Sequence, residues 1–345
     1  VSSTIQDVVE EKVTLTLGSQ RNIAVNLTSA EIATDLSLKS WAKRILKPAM
    51  SRLGQGIEAE CLVLAKDATY NSVGTSGTTV FGTDTMLSAR EKMKKNLAPM
   101  GAEMFALLDS TATRSAVNAR KGLFNDTAEV AKLYKSGAMG RSDGFVFLEN
   151  NLLPQHTMGT DVTFEVRTTV SVEGQATLVV EGLTTTTGTV TKGTSFTIGS
   201  VYGVHPITKD TLPTLQQFVC TALATADGSG YATLSVSPAF YTSASDGLQN
   251  IDAFPVDGGT CTPVGATAST AYTQNLAYCK DAFRFVSVPL VKPDGTDIAS
   301  QSTVNGVTVR VVRDYIPTTD KMIMRLDVLY GFAAVRPEWA CKITA

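Results

Sequence analysis

Few residues of this 345-residue chain have the types and spacing that chemistry needs. Gly54-Gln55-Gly56-Ile57-Glu58-Ala59 spells G-x-G-x-x-A, the letters of a loop that cradles a dinucleotide pyrophosphate. That loop requires a strand before it and a helix opening at it. The residues before Gly54 already follow a helical pattern, so the motif reads as small residues where a helix packs closely. Gly140-Arg141-Ser142-Asp143-Gly144 spells G-x-S-x-G, the letters of a nucleophile elbow. An elbow needs strand, turn and then helix. Here the order reads helix, turn, strand, which is a plain turn. His156 and His205 are the two histidines of the sequence, too isolated for a zinc site without two remote ligands. Glu58 and Glu60 fall on different sides of a helix and cannot work as a carboxylate pair. No phosphate-binding G-x-x-x-x-G-K-[ST] and no H-E-x-x-H occurs. The sequence therefore predicts no catalytic, cofactor-binding or metal-binding residues and no enzyme activity, because nothing supplies a base, a nucleophile and an oxyanion site together.

Composition narrows the class. Hydrophobic residues make up 43%, enough for a sizeable core, while charged residues make up only 18%, below the roughly 25% of ordinary soluble chains. A surface short of charge is covered by Thr, Ser, Gly and Asn, or by another protein. The 30 basic and 32 acidic residues leave a net charge of −2, which excludes a strongly basic nucleic-acid coat and an acidic disordered tail. No run approaches the 18 or so apolar residues of a membrane helix. Residues 1–20 lack the basic start and apolar centre of a signal peptide, and Val1 suggests a processed or trimmed start. Cys61, Cys220, Cys261, Cys279 and Cys341 are odd in number, widely spaced and free of C-x-x-C. They read as reduced thiols packed as small apolar side chains.

The elements follow from periodicity. Val13, Leu15 and Leu17 alternate with Thr, Gly18-Ser19 breaks the run, and Ile23, Val25 and Leu27 alternate again, which predicts a hairpin over 1–28. A two-stranded ribbon is only marginally stable alone, so it must lean on its own body or on a neighbour. Thr28-Ser29-Ala30-Glu31 has capping-box spacing. Leu38, Trp41 and Ile45, then Leu53, Ile57, Cys61 and Leu64, recur at three or four residues. Pro48 divides them into a short helix to about Leu46 and a long one from Pro48 to about Ala68, roughly 30 Å at 1.5 Å per residue. A Gly/Ser/Thr loop over 71–83 leads to a helix capped by Asp84 and ending near Asn96. A strand over 103–109, helices around 112–124 and 126–136, and a strand over 144–148 follow. Composition shifts near residue 159: residues 161–200 hold 12 Thr and six charged residues. Short alternating runs between Gly-rich turns predict a small all-β barrel or sandwich. Residues 241–270 are a polar loop, and strands return at 284–290, 307–313 and 322–329, the second after an Asn305-Gly306 hairpin turn.

Several stretches, taken in order, resemble the major capsid (coat) proteins of tailed double-stranded DNA phages, of the short-tailed type with an inserted β domain. They are 46–54 leading into the helix with Glu58, 137–151, Leu153 to Gly159, and the block from Asp314 through Arg325–Phe332 to Arg336-Pro337-Glu338. The resemblance implies an α+β fold of the Hong Kong ninety-seven type. Residues 1–28 would be the N-arm and extended-loop ribbon. Residues 29–83 would hold the spine helix and peripheral domain, with 84–159 and 263–345 completing the axial and peripheral domains. Residues 160–262 would be the inserted barrel-like domain. It further implies pentamers and hexamers of one chain in an icosahedral shell, scaffolding and portal proteins as partners, non-specific packaged DNA at the inner surface, no cofactor, and assembly in the host cytoplasm. The basic residues Lys39, Lys43, Arg44, Lys47 and Arg52 read as a solvated helix face or as an inner surface tolerant of phosphates. Val13, Leu15, Leu17 and Arg21 are the candidate assembly contacts. Deleting 1–28 is expected to leave a folded subunit that no longer closes particles. A nanocompartment shell of the encapsulin kind and a secreted β-rich binding module are the competing readings.

Overall fold

The computed structural model describes residues 12–28, 42–75, 82–99, 101–120, 139–243, 248–265 and 267–344. The capping box beyond Thr28, Leu38, Trp41, the expected helix at 126–136 and Val1 lie outside the described residues. The chain is mixed α+β with strands predominating, and it divides into two compact units, Val1–Ile57 with Arg284–Val335 and Glu58–Phe283 with Arg336–Ala345.

The first unit is built on an antiparallel sheet in the order Ser19–Thr28, Lys321–Ala334, Val307–Ile316, Ile298–Val304, with Phe283–Val288 also paired to Lys321–Ala334. The expected hairpin over 1–28 is corrected here. Lys12–Gly18 is not a strand, and Ser19–Thr28 is one strand running opposite Lys321–Ala334 from Ser19↔Tyr330 to Thr28↔Lys321. A local hairpin would pair two short strands with little to cover them, whereas the C-terminal strand offers a ten-residue partner inside a larger sheet. Ser19–Thr28 is therefore part of the subunit's own sheet, and deletion of 1–28 would strip that strand from it. Asn305 (φ 50°) and Gly306 (φ 81°) make the tight turn that brings Val304 opposite Val307, the left-handed pair that a two-residue hairpin needs.

Helix α1 (Lys47–Ala68) follows directly on a π-turn at Ala42–Leu46. The short helical piece ends at Leu46 and the long helix begins beside Pro48 and ends at Ala68, as the sequence predicts. Pro48 occupies the first turn of α1, where no backbone donor is required. Leu53 and Ile57 are buried, and further along so are Leu62 and Ala65, while Leu64 is 41% exposed. At 3.6 residues per turn Leu62 lies about 180° round the helix from Leu53, so the buried stripe changes side between the two halves.

In the second unit a seven-stranded sheet has the order Ser72–Val73, Ala340–Thr344, Ala271–Cys279, Met104–Leu108, Phe145–Glu149, Arg141–Ser142, with Gln155–Thr157 pairing Ala271–Cys279. Helices α2 (Thr83–Lys95) and α3 (Ser110–Arg120) help cover it, and Met86, Met93, Met104, Leu108, Phe145 and Ile343 fill the core between them. Asp84 does not cap α2. Gly82 takes the cap position without a side-chain bond, and Asp84 sits inside the first turn, where its charge still favours the positive end of the helix dipole.

The Thr-rich region closes into a barrel of six strands, Ser195–Val204, Thr211–Cys220, Ala232–Phe240, Gln175–Glu181, Phe164–Val166 and Thr260–Pro263. A chain of aromatic contacts fills it: Phe164 to Phe196 at 5.8 Å, Phe196 to Phe218 at 6.1 Å and Phe218 to Phe240 at 4.9 Å. All five cysteines are free thiols, four of them buried, and burial pushes Cys261 and Cys341 up to about 12. They behave as small apolar side chains rather than nucleophiles.

Candidate assembly surface

The two letter-motifs fall in settings that remove their chemistry. Gly54 and Gly56 lie inside α1. Ser142 ends a two-residue strand, and Asp143 (φ 52°) and Gly144 (φ 85°) turn the chain straight into Phe145–Glu149. The described order at the motif is strand, turn, strand, unlike a nucleophile elbow, and the helix expected before it lies outside the described residues. Glu58 accepts a hydrogen bond from Asn150 Nδ2 at 2.6 Å. His205 Nδ1 accepts from the Ile207 and Thr208 amides at 3.3 and 3.2 Å, an ordinary turn. Among the described residues no three His, Cys, Asp or Glu side chains gather as metal ligands, and no helix is long and apolar enough to cross a membrane.

The four candidate contact residues lie at or beside the start of Ser19–Thr28. Val13 is 54% and Leu17 41% exposed, while Leu15 is half-buried. Leu15 and Leu17 lie over Gly331 of the long C-terminal strand: a Cβ there would stand 2.7 Å from Leu15 Cδ2 and from the Thr16 carbonyl oxygen, and 3.2 Å from Leu17 Cδ2. Glycine is thus what lets the Lys12–Gly18 segment lie close against this strand. Arg21, opposite Val328 in the register, lays its guanidinium across α1 at Gly56, where a Cβ would meet Nη1 at 2.5 Å. Leu15, Leu17 and Arg21 therefore touch their own unit, and Val13 with the outer side of Leu17 is the apolar surface left to solvent. Of the basic cluster, Arg44, Lys47 and Arg52 are exposed. Lys39 and the side chain of Lys43 lie outside the described part.

A second feature of the sheet is its buried charge. Asp327 is fully buried, and its carboxylate accepts from Arg310 Nη2 and Arg325 Nε, each at 2.6 Å. The geometry satisfies both oxygens, which a buried carboxylate requires.

Sequence reasoning missed the polar seam inside the second unit, where barrel and sheet meet. Gln217 Oε1 accepts from the Ser72 amide and from Lys92 Nζ, both at 2.8 Å, and Gln217 Nε2 donates to the Ser72 carbonyl at 3.0 Å. Lys92 Nζ donates to the same carbonyl at 2.7 Å, and burial lowers its pKa. At the other point, Lys342 Nζ donates to the Gly193 carbonyl at 2.8 Å. The partners are far apart in sequence, and the one hint was His156 on the inward position of a short polar strand.

A family model described as P22 coat protein, gene protein 5, matches residues 1–342. The class is thus a structural protein of the virion, the major capsid protein of a phage head, and its place is the capsid. The chain belongs to the P22 coat protein family. Among solved structures it is similar to one from Mycobacterium phage Che8, at 10% identity over 99% of this chain and 81% of that chain, with a TM-score of 0.46. It is also similar to the capsid of the cyanophage P-SCSP1u, at 14% identity over 100% of this chain and 80% of that chain, TM-score 0.43. The coat protein I-domain of CUS-3 is similar at 22% identity over 30% of this chain and 96% of that chain, TM-score 0.22. No curated protein matches. Membership of the family favours a phage head over a nanocompartment shell or a secreted module.

Proposed function

We propose that the chain has the Hong Kong ninety-seven fold, with α1 as its spine helix and the barrel as an inserted domain spanning about 160–262. It forms pentamers and hexamers of an icosahedral head around double-stranded DNA. The remaining divisions are 1–28, 29–83, 84–159 and 263–345 as set out above, although the two compact units cut across 29–83 and 263–345. Scaffolding and portal proteins are its assembly partners, assembly takes place in the host cytoplasm, and the chain carries no enzyme activity. Val13, Leu15, Leu17 and Arg21 are assembly contacts, Val13 and Leu17 meeting a neighbouring copy directly and Leu15 and Arg21 holding the segment in place. The exposed Arg44, Lys47 and Arg52 suit an inner surface facing phosphates, a contact that weakens with salt.

Membership of the coat protein family across 1–342 carries this reading, and the exposed Val13 and Leu17 support it. Each interface can be modest, because closure multiplies weak contacts through high effective concentration. The test removes residues 1–18 and keeps the Ser19–Thr28 strand. The truncated subunit is expected to stay folded by circular dichroism and to form no closed particles in negative-stain electron microscopy. Normal shells would overturn the role of the segment. Absorbance at 260 against 280 nm in purified particles reads the packaged nucleic acid, and particles free of it would overturn the genome-enclosing reading.

A further inference from the structure

The contact at Gly193 is a cluster of buried charges as well as a hydrogen bond. At the end of α1, Lys66 Nζ pairs with Asp67 at 2.9 Å and lies 3.4 Å from His156 Nδ1. Lys192 reaches the other Asp67 oxygen at 3.4 Å, and His156 Nε2 lies 3.1 Å from Thr194 Oγ1. The loop backbone sits directly on this group: a Cβ at Gly193 (φ 88°) would stand 2.6 Å from Asp67 Oδ1, 3.3 Å from Lys66 Nζ and 3.5 Å from His156 Nδ1.

An ammonium group has donors only. Its contact with Nδ1 makes that nitrogen the acceptor, which places the imidazole proton on Nε2, directed at Thr194 Oγ1. A second proton on His156 would turn the acceptor into a donor facing Lys66. It would also add a positive charge where Lys66, Lys192 and Lys342 already outnumber Asp67. Cys341, beside Lys342, is held neutral by burial, and the adjacent strand Ala271–Cys279 sets Tyr272 opposite His156 in the register and the uncharged Gln274 and Asn275 beside Lys66 and Lys342.

We propose that the Lys192–Thr194 loop, seated on Lys66, Asp67, His156 and Lys342, is an acid-released latch: protonation of His156 unseats the loop and loosens the barrel on its sheet while the barrel itself stays closed. Burial, and then Lys66 and Lys342, push His156 down from 6.5 to about 3 in the latched form. Once released, it returns to its ordinary value, so the latch is intact above about 6.5 and weakens as pH falls towards 3. Lys342 is lowered to about 7, first by burial and then by Lys66. Its neutral form favours the latched state increasingly from about 7 to 10.5, so both groups act in the same direction.

The test is amide hydrogen exchange of the full-length protein at pH 7.5 and 4.5, corrected for the intrinsic rate at each pH. The Gly193 amide, bonded to the Cys220 carbonyl at 2.7 Å, reports the latch, and the barrel amides of Leu178 and Leu234 serve as the internal reference. Protection at Gly193 is expected to fall about a hundredfold at pH 4.5 while the reference amides hold. His156→Gln keeps an acceptor for Lys66 and a donor for Thr194 but cannot titrate, and it should keep Gly193 protected at pH 4.5. Unchanged protection at Gly193 in the wild type would overturn the proposal. So would an equal loss at Leu178 and Leu234, or a His156→Gln variant as acid-sensitive as the wild type. If that variant does not fold, the wild-type contrast between Gly193 and the reference amides decides.

Discussion

The barrel and the sheet of the first unit are both antiparallel, yet they treat their edges and interiors differently. The barrel hydrogen-bonds its last strand to its first and buries a continuous apolar core from Phe164 to Cys261. The sheet ends, among the described residues, at Ile298–Val304, a seven-residue strand without one charged side chain. Val304 there is 62% exposed. Edge strands of free-standing proteins are usually guarded by charge, proline or a bulge. The sheet also spends an interior position on Asp327, stitched by two arginines rather than packed. The barrel is complete within one chain. The sheet leaves an uncharged edge strand, Ile298–Val304, among the described residues.

Three variants would sharpen that contrast. Phe218→Ala removes the ring between Phe196 and Phe240 and should cost about 3–5 kcal/mol, read as a lower denaturation midpoint with faster exchange in barrel amides. Loss confined to the first unit would contradict a self-contained barrel core. Asp327→Asn should cost about 3 kcal/mol, because both arginines lose their charged partner, and exchange should rise in Lys321–Ala334 while the barrel is unaffected. The smallest effect on the isolated subunit belongs to Val13→Asp and Leu17→Asp together, about 0.5 kcal/mol or less per site. The same pair should sharply lower particle yield in sedimentation, and unaltered yield would remove these residues from the assembly surface.

Local patterns were legible where the chain needs no distant partner. Asn305-Gly306 announced its turn because only left-handed residues fit there, and α1 was readable from Leu53 and Ile57. The length of α1 to Ala68 was legible as well, but the buried side of its second half was not, since a single stripe through Leu64 assumes one buried side and Leu62 and Ala65 are the residues covered there. The alternation of Val13–Leu17 and Ile23–Leu27 is the same for a local hairpin as for a strand claimed by residues 321–334, and only the long-range register separates them. Barrel closure is equally non-local: Thr260–Pro263 must find Ser195–Val204 and Phe164–Val166. The seam was illegible for a related reason, because Lys66, His156 and Lys342 acquire meaning only when three distant segments meet.

The pairing of Ser19–Thr28 with Lys321–Ala334 also sets an order of events during synthesis. All six barrel strands have left the ribosome once residue 263 is free, so the barrel can close on the nascent chain, as domains generally fold as units when they emerge. The first unit must wait until residues 321–334 are made. The strand Ser19–Thr28 spends that interval without its partner, so no copy can offer a finished sheet to a neighbour before residues 321–334 have emerged.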